Sequence, residues 1–125
     1  MNKVLVIEDD EAIRENTAEL LAIGNYNVIT AENGSAGFVQ AKEHRPDVVL
    51  CDMMMPKTDG YTFLKLVRSD KNLQHIPIIF FSAGTLPLNE QNRLIKAGNG
   101  FLKKPFLEED LLNIIKVTLG HSIKE

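Results

Sequence analysis

Short apolar runs, rich in β-branched and aromatic residues, alternate along the chain with longer segments in which apolar residues return every third or fourth position. Residues 4–7, 47–51, 76–81 and 100–103 read as strands, being too short and too continuously apolar for helices. A less apolar run, 27–31, predicts a further strand toward a sheet edge. Between them, Ile13, Thr17, Leu20 and Leu21 mark the inner face of a first helix that Gly24 and Asn25 should end, because the chain turns cheaply there. Ala36, Val39 and Phe38 line a second helix, with Ser35 placed to cap its free amides and Pro46 as its far limit. Tyr61, Phe63, Leu64, Leu66 and Val67 predict a third after Asp59 and Gly60. Leu94, Ile95 and Ala97 predict a fourth that ends near Gly98. Leu107, Leu111, Leu112, Ile115 and Leu119 define the last.

The order is therefore β then α, five times. Strands apolar on both faces need helices on both sides of a mostly parallel sheet, which predicts an open, doubly wound α/β sandwich. A chain of 125 residues is too short for an eight-fold α/β barrel, and it contains no linker-like or low-complexity stretch, so one domain over residues 1–125 is expected.

Charge and composition narrow the function. Fourteen Lys and Arg against seventeen Asp and Glu leave a formal charge of −3, the wrong sign for a surface that contacts nucleic acid directly. The single cysteine, Cys51, excludes an internal disulfide and a cysteine metal cluster, and its apolar surroundings predict a buried small hydrophobe in a reducing compartment. His44, His75 and His121 stand in polar, loop-like sequence and read as surface residues. No signal segment and no apolar run of about 18 residues is present, so a cytoplasmic location without a membrane span is expected.

In an open parallel sheet, ligands bind beyond the carboxyl ends of the strands. Strand one runs into Glu8, Asp9, Asp10 and Glu11, strand three into Asp52, strand four into Ser82, and strand five into Lys103, Lys104 and Pro105. Carboxylates converging from two strand ends repel unless a cation or protons intervene, and a hard, oxygen-seeking ion such as magnesium answers that need. Glu8, Asp9 and Asp52 are the candidate ligands; a solvated acidic loop capping the first helix is the plainer alternative. Asp52 could act as a nucleophile toward a phosphoryl group, with Lys104 and the Ser82 hydroxyl drawing charge from the phosphoryl oxygens. No G-x-G-x-x-G follows strand one, and G-x-x-x-x-G-K-[S/T], H-E-x-x-H and G-x-S-x-G do not occur, which removes the sequence basis for dinucleotide, P-loop, zinc-protease and serine-hydrolase sites.

Taken together, V-L-V-I-E-D-D with Arg14 following, D-M-M-M-P-K-T-D-G from Asp52 to Gly60, F-S-A from Phe81 and G-F-L-K-K-P-F make this chain resemble the receiver domain of two-component response regulators over nearly its whole length. That resemblance implies a flavodoxin-like fold with strand order 2-1-3-4-5. It makes Asp9 a direct magnesium ligand and Glu8 one acting largely through water, with manganese able to substitute. Asp52 becomes phosphoacceptor and metal ligand, and Met54 contributes its backbone carbonyl. Ser82 becomes the switch hydroxyl, Lys104 the lysine that faces the phosphoryl group, and Pro105 the proline that follows it through a cis bond. Phe101 falls at the aromatic switch position, where Tyr is frequent.

The implied function is transfer of a phosphoryl group from the phosphohistidine of a sensor histidine kinase or phosphotransfer protein to Asp52, a self-catalysed and self-reversed step rather than conventional turnover. The face formed by helix four, strand five and helix five should then change toward an output partner, a C-terminal output domain or a second copy in a phosphorylation-dependent homodimer. The alternatives are a receiver-like interaction module that works without phosphorylation and a free-standing magnesium-dependent phosphatase. The phosphatase would need a dedicated acid or base close to Asp52, where the loop places Met54 and Met55 instead.

Overall fold

The computed structural model describes residues 2–53, 60–82, 87–96, 100–103 and 106–123, with residues 121–123 by backbone only. Five strands, β1 (Lys3–Ile7), β2 (Asn27–Ala31), β3 (Val48–Asp52), β4 (Ile78–Ser82) and β5 (Gly100–Lys103), alternate with five helices, α1 (Glu11–Ile23), α2 (Gly34–His44), α3 (Gly60–Arg68), α4 (Leu88–Lys96) and α5 (Glu108–Ile123). All pairings are parallel and the sheet order is β2-β1-β3-β4-β5. The chain thus has the expected doubly wound α/β fold, with β2 at one edge as expected.

Strand alternation divides the core in two. Leu5, Ile7, Val49, Cys51, Ile78 and Phe80 face one side, where Ala41 of α2, Phe63 and Val67 of α3 and Leu94 of α4 cover them. Val4, Val6, Val48, Leu50, Ile79 and Phe81 face the other, against Leu21 of α1 and Leu111, Ile115 and Leu119 of α5. Cys51 is buried and free, as its apolar context predicts.

Several boundaries differ from the sequence expectation. β4 starts at Ile78 rather than 76, because Pro77 has no N–H for the ladder, although its carbonyl accepts from Val49 N at 3.0 Å. β3 starts at Val48, since Asp47 instead ties down the chain start by accepting from Lys3 N at 2.7 Å. β3 and β4 also reach one residue further, so Asp52 and Ser82 are the last residues of their strands rather than the first of the loops. In α2 the cap is Asn33, whose side chain accepts from Ala36 N at 2.8 Å, and Ser35 lies inside the helix. Val39 is exposed, and the inner line of α2 is Gly34, Gly37 and Ala41. α1 ends as expected, with Gly24 as its cap and Asn25 in the left-handed region at φ 72°. Ile95 of α4 and Leu107, just before α5, face solvent, which leaves Leu94 as the one buried residue of α4 among the described residues. Ala97 and Gly98 lie outside the described residues.

Candidate functional site

The order 2-1-3-4-5 reverses direction between β1 and β3, so the crevice of this sheet opens at the carboxyl ends of those two strands. Glu8 and Asp9 leave β1 there, and Asp52 ends β3 beside them. Each of the three offers a carboxylate oxygen, and these oxygens lie within 4.8 Å of one another. The neighbouring strand aligns Asp52 with Phe81, which puts Ser82 one step further along the same rim.

Burial sharpens the electrostatics. Glu8 is 1% and Asp52 4% exposed, whereas Asp9 faces solvent, so two of three close negative charges sit where water screens them poorly. A set of clustered carboxylate oxygens with one open side fits a hard divalent cation such as magnesium. Ser82 is also buried, at 2% exposure.

The four successive acids of the 8–11 run separate into two jobs. Asp10 is the N-cap of α1, its Oδ1 accepting from Ile13 N at 3.0 Å, and Glu11 occupies the first helical turn where the helix dipole favours it. The helix-capping alternative therefore holds for Asp10 and Glu11, and the crevice takes Glu8 and Asp9. Glu8 is held from several sides: its N–H donates to Ala31 O at 3.1 Å, its Oε2 accepts from Asp10 N at 3.1 Å, and Arg14 Nη1 donates to its carbonyl at 2.8 Å. Arg14 is a positioning residue to which the sequence reading gave no role. Its signal was a cation in the first turn of a helix, where the dipole disfavours one.

Asp52 is fixed through its backbone neighbours. Met53 N donates to Phe81 O at 2.9 Å, and Gly60 N donates to Met53 O at 3.0 Å, so the residue after Asp52 is tied both to β4 and to the start of α3. At Gly60, a Cβ would come within 2.8 Å of Met53 Sδ, 3.0 Å of Met53 Cα and 3.1 Å of Phe80 Cε1. The sulfur can move, but the Met53 backbone is held in the ladder. Alanine gains little helix propensity at a first helical position, so the clash should dominate. Gly60→Ala is expected to lose about 1–3 kcal/mol in urea unfolding; an unchanged midpoint would show that α3 backs away freely.

Lys104, Pro105 and Met54, also named from the resemblance, lie outside the described residues. Phe101 is half-buried on β5 and packs against the core beneath α2, α3 and α4. Of the histidines, His75 is exposed and His44 partly so, and neither joins the acidic group. Among the described residues no helix is long and apolar enough to cross a membrane.

A doubly wound sheet with an acidic group at its switch point and a buried hydroxyl on the adjacent strand end defines a class of open α/β proteins with a polar crevice. The chain belongs to the response regulator receiver domain family, whose match spans residues 4–116. It is 32% identical over 114 residues to "Protein PilG" of Pseudomonas aeruginosa, covering 91% of this chain and 84% of that protein. With the "Response regulator Rre1" of a Synechocystis species it shares 30% identity over 94% of its length, and it spans only 51% of that longer protein. The structure of the Vibrio cholerae chemotaxis protein CheY4 superposes with a TM-score of 0.86 at 32% identity, covering 94% of this chain and 98% of that one.

Proposed function

We propose that this protein, as a single receiver domain over residues 1–125, is a phosphoacceptor switch that takes a phosphoryl group onto Asp52 from the phosphohistidine of a sensor histidine kinase or phosphotransfer protein. The observation that carries this reading is the gathering of Asp52, Glu8 and Asp9 oxygens within 4.8 Å at the switch point of the sheet. In the transfer, an Asp52 carboxylate oxygen forms a bond to phosphorus as the bond from phosphorus to the imidazole nitrogen breaks. The nitrogen keeps the electron pair. Asp9, Asp52, the Met54 carbonyl and, through water, Glu8 would hold magnesium or manganese, which supplies charge neutralisation on the phosphoryl oxygens.

The engagement of Glu8 Oε2 by Asp10 N supports an indirect rather than a direct role for Glu8. Arg14, by holding the Glu8 carbonyl, keeps the β1–α1 turn in place while charge at the site changes. Ser82 donates its hydroxyl to a phosphoryl oxygen and Lys104 adds its ammonium. Movement of Ser82 is relayed to the half-buried Phe101 and to the face of α4, β5 and α5, where an output partner, an output domain or a second copy docks. Hydrolysis at the same site resets the switch. The reaction is the protein's own, in the cytoplasm.

Intact mass after incubation with acetyl phosphate tests this directly. Wild type is expected to gain one phosphoryl group only with magnesium, and Asp52→Ala to gain none. If neither acetyl phosphate nor a phosphohistidine donor labels the folded protein, the interaction module that works without phosphorylation replaces this reading.

A further inference from the structure

Helix α4 is weakly anchored. Leu94 is its one buried residue among the described residues, while Leu88 is 69% and Ile95 53% exposed. α2 and α3 pack beside each other, whereas α4 lies mainly along β5. A polar contact ties α4 to α3: the Tyr61 hydroxyl donates to Glu90 Oε1 at 2.7 Å. Tyr61 is the second residue of α3, the helix that follows β3 in the chain, and Glu90 is in the first turn of α4, the helix that follows β4. The bond therefore joins the starts of the two helices that follow β3 and β4 in the chain.

The chemistry suits a tether that holds yet releases. The phenol donates to an ionised carboxylate, a stronger bond than one between neutral partners, but Tyr61 is 37% exposed, so water can compete. The hydrogen bond to Glu90 is the main cause that holds the Tyr61 hydroxyl above its ordinary pKa, with burial and the Glu90 charge adding and Arg93 opposing. Glu90 also sits well for the α4 dipole, so the acceptor is stabilised where it is needed.

We propose that the Tyr61–Glu90 hydrogen bond is a releasable tether that sets the position of α4 against α3 and keeps the lightly anchored helix from opening. It acts in the resting protein and stands apart from any phosphorylation. Hydrogen exchange read by mass spectrometry on unphosphorylated protein, without metal, tests it. Tyr61→Phe, which keeps the ring, should speed exchange in residues 88–96 about fivefold while α1, α2 and α5 stay at wild-type rates. Glu90→Ala should do at least as much, since it also removes a first-turn acid, and Glu90→Gln should fall between it and wild type.

The decisive comparison is the double variant Tyr61→Phe with Glu90→Ala, expected to exchange no faster than Glu90→Ala alone. Unchanged α4 exchange in Tyr61→Phe, additive effects in the double variant, or acceleration spread evenly over the protein would each overturn the tether. Because no phosphoryl donor is present, that failure would leave the Asp52 reading untouched.

Discussion

Phe81→Ala is expected to lower the free energy of unfolding by about 3–5 kcal/mol, the range for emptying a fully buried aromatic position. Phe81 is wholly inaccessible on the interior strand β4, aligned between Asp52 and Leu102, and packs in the core layer beneath α1 and α5. Its ring meets that of Phe106 edge to face, with centroids 6.0 Å apart and planes at 80°, a contact that adds to burial. The residues that flank it in the sheet, Asp52 and Leu102, are held in register by strand pairing and cannot collapse into the void. Against a typical stability of about 5–15 kcal/mol for a domain, such a loss leaves little in reserve.

Urea unfolding would show this as a fall in midpoint with little change in slope, and Val39→Ala, on the solvent side of α2, would stay within about 0.5 kcal/mol of wild type. A Phe81→Ala loss below about 1.5 kcal/mol would mean that the ring is not packed as described. The consequence reaches the site as well. The Phe81 carbonyl accepts from Met53 N at 2.9 Å, and Ser82 follows directly, so loosening β4 displaces the ends of two strands that carry site residues.

Magnesium is expected to raise the melting temperature of the wild type markedly and that of Asp52→Asn scarcely at all. A ligand at a hundredfold excess over its Kd stabilises the native state by about 2.7 kcal/mol, which for a domain of this size corresponds to roughly 10 °C. Asp52 is a buried member of a group whose three carboxylates approach within 4.8 Å, and its replacement removes both a ligand and a charge. Without magnesium, Asp52→Asn should melt at or above the wild-type temperature, since one of three crowded negative charges is gone. Equal magnesium increments in the two proteins would place the cation elsewhere.

Much of the fold could be read along the chain because strands buried on both faces leave continuous apolar runs, and the helices between them leave a period of three to four. The misreadings have a common physical cause. At α2 apolar bulk points to Ala36, Phe38 and Val39; the first two do pack against the core, but Val39 is exposed, and the helix approaches β1 through Gly37, where a Cβ would run into Ile7 Cδ1. Close packing there depends on a missing side chain, which carries no hydropathy signal. Asn33 and Ser35 are both good capping residues, and only the actual start of the helix selects Asn33.

The sequence by itself determined the order and kind of the elements, the parallel sheet they build, and the residue types waiting at the strand ends: an acidic run after β1, Asp52 at β3 and Ser82 at β4. These follow from periodicity and from chemistry local to the chain. Tertiary structure alone decided how the acidic run divides. Asp10 turns to cap α1 while Glu8 and Asp9 reach Asp52, a residue more than forty positions away that strand pairing brings alongside. It alone also joined Tyr61 to Glu90, because residues 29 positions apart on two separate helices become neighbours only when β3 and β4 pair and carry those helices with them.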